Sequence, residues 1–370
     1  MKHTVTTPLN ELAPKARNSN LELYRIIVML FIIAHHYVVN SGLYESIQSG
    51  EITSASAAML VFGAWGKTGI NCFVIITGYF MCTSRITTKK FLKLYLQFLF
   101  YGVIIFVTFI ITGDGTLSAR KLIHAILPIK DTSAAFTFVA SFLVFYLLIP
   151  FLNILIKHLN KRDHTILLAI LLTVYTILPS IKYQVEVNYI VWFNVLFIIA
   201  SYIRFYGDDI KISHRGWGII TLCSMTLGAL SVIVLYYRSQ PGCISVWNTY
   251  FMLADCNKIL ALTTAVSSFF WFKGITIPNS RIINNIAATT FGVFLIHTNY
   301  DAMREWLWKD TIDCVGHHGA SIIHELGYAL LIVVAVFIAC SAIDWIRLKY
   351  IEPRIMGSVT RLSKRLNVTI

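Results

Sequence analysis

The sequence predicts an all-α, polytopic integral membrane protein with about ten transmembrane helices and both termini in the cytoplasm. Of its 370 residues, 56% are hydrophobic and only 13% are charged, and the mean hydropathy is +0.68. A soluble domain typically carries about 25% charged residues. The apolar residues also form runs that are too long and too numerous for one buried core. A soluble monomer and a secreted disulfide scaffold are therefore excluded.

Ten apolar segments are candidates for helices that cross the bilayer. An upright transmembrane helix needs about 20 residues, and several of these segments are shorter than that. In chain order they are Leu21–Val39, Ala57–Met81, Phe91–Thr112, Ala134–Ile156, Thr165–Ile181, Tyr189–Phe205, Trp217–Tyr237, Asn257–Phe272, Ala287–Tyr300 and Ile322–Ile346. They predict a membrane domain over residues 21–346, between a cytoplasmic N-terminal tail (1–20) and a basic cytoplasmic C-terminal tail (347–370).

The basic residues predict the orientation of these segments. The chain has 31 Lys and Arg against 18 Asp and Glu, a formal net charge of +13. With the N-terminus inside, most of the cations fall in cytoplasmic segments, whereas the first outer loop, Ser41–Ser56, has none. Basic residues hold membrane loops on the cytoplasmic side. Topology therefore explains the positive charge, and no nucleic-acid partner is expected.

The first span carries two polar groups that are costly in a membrane, Arg25 and His36. Eleven positions at 100° each bring the two side chains to within about 20° of one another around the helix, and separate them by about 16 Å along its axis. The spacing therefore predicts a groove with a permanent cation near the cytoplasmic mouth and a titratable imidazole in the outer half.

Simpler interpretations exist for each of these residues. Arg25 near a span end is typical of an anchor whose charge reaches the headgroups. His35 is a rival to His36, but it points about 80° away from the line through Arg25. A histidine can also simply hydrogen-bond a neighbouring helix. The spacing alone leaves the groove and these structural roles open.

Other polar residues interrupt the later spans. Lys67 lies between two glycines. It shares a helix face with Asn71 if the helix includes it, and it lies at the surface if the helix begins near Gly69. His297 ends a short apolar run near the outer face. His317, His318 and His324 lack the spacing of metal ligands, so no metal site is predicted.

The seven cysteines include no CxxC pair. A disulfide among the outer-loop residues Cys243, Cys256 and Cys314 stays open.

Four segments of the chain resemble, in order, the membrane acyltransferases of the acyltransferase-3 family, most closely the branch of capsular or exopolysaccharide O-acetyltransferases. The family's mark in the first span is Arg, ten residues, then His, which Arg25 and His36 fit and His35 does not. The other matching segments are Gly69–Tyr79, Phe138–Asn153 (with Tyr146, Pro150 and Asn153) and Phe291–Asn299.

The resemblance implies an enzyme that moves an acetyl group from cytoplasmic acetyl-CoA to a hydroxyl of a cell-surface or lipid-linked polysaccharide. It implies acetyl-CoA as substrate rather than a permanently bound cofactor, and a bacterial-type cytoplasmic membrane as the location. Expected partners are the glycan acceptor, the bilayer and polysaccharide assembly proteins. Arg25 and the cluster Arg85, Lys89, Lys90 and Lys93 are candidates to hold the coenzyme phosphates through charge-assisted hydrogen bonds. A stop-transfer anchor explains the same cluster.

His36 is the candidate catalyst of this reaction. A sugar hydroxyl stays protonated at neutral pH, and an imidazole, with an ordinary pKa of about 6.5, is suited to remove its proton as the new C–O bond forms. A transient acetyl-His36 is the covalent alternative. Lys67, Asn71 and His297 are candidates for the substrate or oxyanion site.

A transporter or flippase of a lipid-linked glycan is the rival class, because ten spans and broken helices suit transport too. A catalytically silent scaffold is a third. Neither explains an Arg and a His at this spacing on one face. The outer segments Lys182–Asn188 and Arg238–Asn248 are expected to shape the acceptor site, since loops set specificity.

Overall fold

The computed structural model describes residues 18–113, 118–127, 138–183, 185–239, 245–298, 300–319 and 321–365. Of these residues 81% are helical and none forms a strand, which confirms the predicted all-α class. Within the described residues, eight helical segments are long and apolar enough to cross a membrane. The chain is thus a multi-pass membrane protein.

The helices follow one another through short connections. In chain order they are α1 (Ser19–Val39), α2 (Leu43–Ser49), α3 (Ser54–Gly63), α4 (Gly66–Met81), α5 (Thr88–Thr112), α6 (Ala119–Ile126), α7 (Phe138–His158), α8 (Lys161–Leu172), α9 (Leu178–Ser180), α10 (Tyr189–Tyr206), α11 (His214–Tyr237), α12 (Val246–Thr249), α13 (Ile259–Gly274), α14 (Arg281–Ala288), α15 (Thr290–His297), α16 (Asp301–Glu305), α17 (Ile322–Ile346) and α18 (Glu352–Arg365). Residues 134–137 of the fourth predicted span lie outside the described residues.

Two predicted spans are interrupted helices. The second is divided into α3 and α4 at Ala64 and Trp65, and the ninth is a pair, α14 and α15, that meet at Thr289. The last span continues beyond Ile346 through a π-helical segment, Arg347–Ile351, into α18. The predicted start of the C-terminal tail at residue 347 therefore falls at the end of α17, and the chain after it is still helical.

Helix α1 lies at the centre of the bundle, where it packs against α3, α4, α13, α14, α15 and α17. Three glycines let α3 and α4 approach it closely. A Cβ at Gly63 would lie 2.7 Å from Val38, one at Gly69 would lie 2.8 Å from Ile32, and one at Gly66 would overlap the His35 ring. Small residues permit such approach between membrane helices. The break after Gly63 follows from this contact.

The outer surface of the bundle is apolar, as a lipid-facing surface must be. Many large hydrophobic side chains are exposed on this surface, among them Ile111 (79% exposed) and Ile323 (86% exposed). Hydrogen bonds join helix ends at both ends of the bundle. At the predicted cytoplasmic face Ser19 donates to Asn284, and at the opposite face Ser56 hydrogen-bonds His318.

Candidate active site

The two polar groups of α1 occupy different ends of the same helix. Arg25 forms an ion pair with Glu22, 2.9 Å apart, and 23% of its side chain is exposed. His36 lies one turn before the end of α1 and is partly exposed. Uninterrupted helical geometry from Ser19 to Val39 preserves the predicted alignment of the two, about 16 Å apart along the axis.

His36 contacts a second histidine from a distant part of the chain. Its Nδ1 lies 3.0 Å from Nε2 of His297, the last residue of α15. His297 is fully buried, and its Nδ1 lies 2.6 Å from the carbonyl oxygen of Val293 one turn earlier. The two imidazoles therefore form a hydrogen-bonded row that ends at the Val293 carbonyl. The partly exposed His36 is at the other end of this row.

The carbonyl fixes the tautomers of both rings. A carbonyl oxygen only accepts, so Nδ1 of His297 carries a proton and donates it to Val293. In a neutral His297 the Nε2 atom is then an acceptor, and Nδ1 of His36 donates to it. A neutral His36 is left with a lone pair on Nε2. This is the form that a general base or a nucleophile requires.

The surroundings of His297 hold the pair in place. The indole Nε1 of Trp308 donates to the His297 carbonyl at 3.0 Å, and Trp308 is itself fully buried. Gly292 lies about one and a half turns before His297 on α15. Because Gly292 has no side chain, α15 lies directly against the Asp344 carboxylate of α17, which a Cβ at Gly292 would overlap. Asp344 is fixed by Arg347, whose Nε donates to it at 2.6 Å.

His35 has a separate and structural position. Its Nδ1 bonds the Gly63 carbonyl at 2.7 Å, and its ring lies against the α-carbon of Gly66. That carbonyl lacks a helical partner because α3 ends there. His35 therefore caps the helix break, while His36 pairs with His297.

Two cations act electrostatically on the His36 imidazole, Lys67 and Arg304. Lys67 lies in the first turn of α4, partly buried, and its ammonium donates to the Tyr189 hydroxyl at 2.8 Å. Arg304 lies on α16 and pairs with Asp301 at 2.6 Å. Arg304 lies outside every segment that the sequence marks as a candidate site. The only signal for it is an Asp and an Arg three positions apart in the segment after His297.

Asn71 does not join this group. It is fully buried, its Nδ2 donates to the Cys256 carbonyl at 2.6 Å, and its Oδ1 accepts from the Trp192 indole at 2.8 Å. These contacts tie α4 to α10 and to the segment before α13. The structure thus brings together His36 and His297, places Lys67 against Tyr189 with its charge acting on His36, and gives Asn71 a structural position.

The predicted phosphate-binding cluster lies at the start of α5. Arg85, Lys89 and Lys90 are exposed, and Lys90 donates to the Arg85 carbonyl at 2.7 Å. Lys93 is ion-paired with Glu352 of α18 at 2.6 Å. The cluster thus presents charge at the predicted cytoplasmic face, with part of it already neutralised by α18.

The cysteines and the loop histidines offer no competing chemistry. Cys256 and Cys314 are free thiols, and Cys243 lies outside the described residues. Burial raises the pKa of Cys314 to about 11 and that of Cys256 to about 12, so both stay protonated at neutral pH. Within the described ranges no group of three or more His, Cys, Asp or Glu side chains could hold a metal ion.

The described structure is a polytopic helical bundle with a pair of hydrogen-bonded histidines, and the charges of Lys67 and Arg304 act on the more exposed one. Residues 18–345 match the acyltransferase-3 family model, which describes an acyltransferase domain. The chain belongs to this family, and membership favours a membrane acyltransferase over a transporter or a scaffold. No curated protein and no solved structure matches the chain.

Proposed function

We propose that this protein is an O-acetyltransferase that moves the acetyl group of acetyl-CoA to a hydroxyl of a cell-surface or lipid-linked glycan, with His36 as general base. The observation that carries the proposal is the contact between His36 Nδ1 and His297 Nε2, because it leaves Nε2 of His36 unprotonated. The polysaccharide acceptor and the cell-membrane location rest on the resemblance to polysaccharide O-acetyltransferases.

In the direct mechanism, Nε2 of His36 removes the proton of the sugar hydroxyl while the hydroxyl oxygen attacks the carbonyl carbon of the thioester. The new C–O bond forms, the carbonyl π electrons move onto oxygen, and the His36 ring becomes a cation. His297 stabilises that cation because its Nε2 lone pair accepts from Nδ1 of His36 more strongly once the ring is charged. Collapse of the tetrahedral intermediate breaks the C–S bond, and the coenzyme thiolate takes the proton from His36.

The oxyanion of the tetrahedral intermediate needs a positive partner. Lys67 and Arg304 are the cations whose charges act on His36, and Lys67 uses one of its three N–H groups on Tyr189. Such groups are strong stabilisers in a site that excludes water. We assign this electrostatic role to Lys67 and Arg304.

The donor enters from the predicted cytoplasmic face. The exposed Arg85, Lys89 and Lys90 attract the coenzyme phosphates, and Arg25 lies between that face and His36 on the same helix. The pantetheine arm is long and nearly neutral, so it is suited to extend along the bundle toward His36. Arg25 would exchange its contact with Glu22 for a group of the donor.

The test is coenzyme-dependent acetylation by the protein in nanodiscs, followed with a thiol reagent and by mass spectrometry of the glycan. We expect His36→Ala to abolish thiol release and acetylation while the protein still folds and inserts. His158→Ala, at an exposed histidine at the end of α7, is the control and should stay active. Full activity of His36→Ala would remove His36 from the mechanism.

A second measurement separates direct transfer from the covalent route. Radiolabelled acetyl-CoA without acceptor labels the protein only if an acetyl-His36 forms and persists. Label on the wild-type protein that is absent from His36→Ala would establish the covalent route. No label, together with full transfer once acceptor is added, would favour direct attack.

A further inference from the structure

A cavity of about 690 Å³ opens at the predicted outer face, beside the site but separate from the histidine pair. Its walls come from the connection between α9 and α10 and from the segment that carries α12 and leads to α13. The volume is within the range of small-molecule sites, which is about 300–1,000 Å³. It is large enough to hold more than one sugar ring.

The groups around the cavity are those that bind hydroxyls. The carboxylates of Glu186 and Asp255 accept hydrogen bonds, and the amides of Asn188 and Asn248 both donate and accept. Asn188 uses its Oδ1 to cap α10 through the Val191 amide, which leaves its Nδ2 group to donate into the cavity. The rings of Tyr183 and Tyr189 add flat apolar surfaces on which the C–H faces of a sugar can lie.

The charges around the cavity favour a neutral occupant. Lys182 and Lys258 balance Glu186 and Asp255, so the formal charge of the lining is zero. Each ammonium group also has a contact with the wall. Lys258 donates to the Pro179 carbonyl at 2.7 Å and lies 4.3 Å from the centre of the Phe251 ring, and Lys182 lies 5.6 Å from the same ring. A neutral polyol suits this lining better than a phosphate or an acyl chain.

The cavity is connected to His36 through packed side chains. Tyr189, in its wall, accepts from Lys67, whose charge acts on His36. Its ring lies 6.1 Å from Phe138, which lies 4.8 Å from Phe294, which in turn lies 6.4 Å from the His36 ring. The floor is rigid, since the Trp192 indole is bonded to the buried Asn71. A molecule bound in the cavity would therefore lie outside the catalytic site, with packed side chains between it and His36.

We propose that this cavity binds a neutral sugar unit of the acceptor other than the unit whose hydroxyl reaches His36. The inference rests on the proposed function and adds to it that the acceptor is an oligosaccharide or polysaccharide chain, not a free monosaccharide. Glu186, Asn188, Asn248 and Asp255 bind the hydroxyls of the unit that does not react.

Sugar binding is tested without any chemistry, on His36→Ala protein in nanodiscs and in the absence of acetyl-CoA. Saturation-transfer NMR is recorded with maltose, cellobiose, lactose and chitobiose, and with glucose, galactose and N-acetylglucosamine. The pocket variant is Glu186→Gln with Asn248→Ala, both exposed residues of the cavity wall. The matched control is Glu51→Gln, an exposed carboxylate on the same predicted face outside the cavity.

We expect at least one disaccharide to bind, binding to weaken at least tenfold in the pocket variant, and the control to stay within twofold of the parent. Absence of binding by every sugar, or equal binding by the pocket variant and the control, would overturn the proposal. Thermal unfolding of each variant confirms that the fold is retained. Failure of the proposed function is a separate result, because thiol release would then be missing in the wild type while sugar binding persists.

Discussion

The imidazoles of His36 and His297 meet at 3.0 Å although 261 positions separate the two residues in the chain. Nothing in the sequence around either residue indicates that the two are in contact. The contact converts two ordinary histidines into a row with a defined proton order, from His36 through His297 to the Val293 carbonyl. The buried member cannot reach the substrate, so its contribution to catalysis acts through His36.

We therefore expect His297→Ala to lower kcat by roughly 10²-fold, because general-base catalysis contributes about 10²–10⁴-fold and the variant retains His36 without its positioning partner. The KM for acetyl-CoA should change little. Steady-state kinetics of thiol release measures both parameters. A kcat of His297→Ala equal to that of the wild-type protein would show that His36 acts without its partner.

Arg25 and Glu22 offer a test of how the donor is held. If Arg25 contacts a group of acetyl-CoA, Arg25→Ala should raise the KM for acetyl-CoA by roughly tenfold or more, since a hydrogen bond to a charged group contributes about 1.5–3 kcal/mol. Glu22→Gln should have the opposite effect and lower the KM, because it removes the competing carboxylate 2.9 Å from the guanidinium.

The two substitutions also distinguish donor binding from membrane anchoring. An anchoring arginine affects insertion and leaves the KM of the inserted protein unchanged. Unchanged KM values in both variants, with normal amounts of inserted protein, would contradict a role in donor binding.

Lys67 and Asn71, four positions apart on one helix, should respond differently to substitution. Lys67→Met removes a charge that acts on His36 and should lower kcat by roughly 10²–10³-fold, the usual cost of losing an oxyanion donor. Asn71→Ala leaves the Trp192 indole and the Cys256 carbonyl without their partner in the core, at a cost of about 1–3 kcal/mol each. It should therefore lower stability, with kcat of the folded protein retained.

Thermal unfolding and kinetics on the same preparations measure both effects. A large loss of kcat in folded Asn71→Ala, or full activity in Lys67→Met, would reverse the two assignments. The comparison is informative because both side chains lie on α4, so that a general disturbance of that helix would affect the two variants alike.

Composition and hydropathy were sufficient to predict the all-α membrane fold, because the bilayer requires long apolar helices whatever their neighbours are. The helix breaks were not predictable from apolar length. The division after Gly63 depends on the approach of α3 and α4 to α1, and this approach is a tertiary contact. Likewise, periodicity placed His36 on the face of Arg25, but nothing local indicates that His297 lies behind it or that Arg304 lies near it.

The approach of α4 to α1 gives a last prediction, on stability. A Cβ at Gly66 overlaps the His35 ring, so Gly66→Ala should displace that ring and break its hydrogen bond to the Gly63 carbonyl. Overpacking costs about 1–3 kcal/mol, and loss of the hydrogen bond adds about 1 kcal/mol.

Gly327→Ala is the matched control, because Gly327 is also helical and a Cβ there meets nothing within 4 Å. It should be neutral or stabilise the protein by about 0.5–1 kcal/mol. Thermal unfolding in nanodiscs compares the two, and equal midpoints would show that α1 and α4 do not pack as closely as the structure indicates.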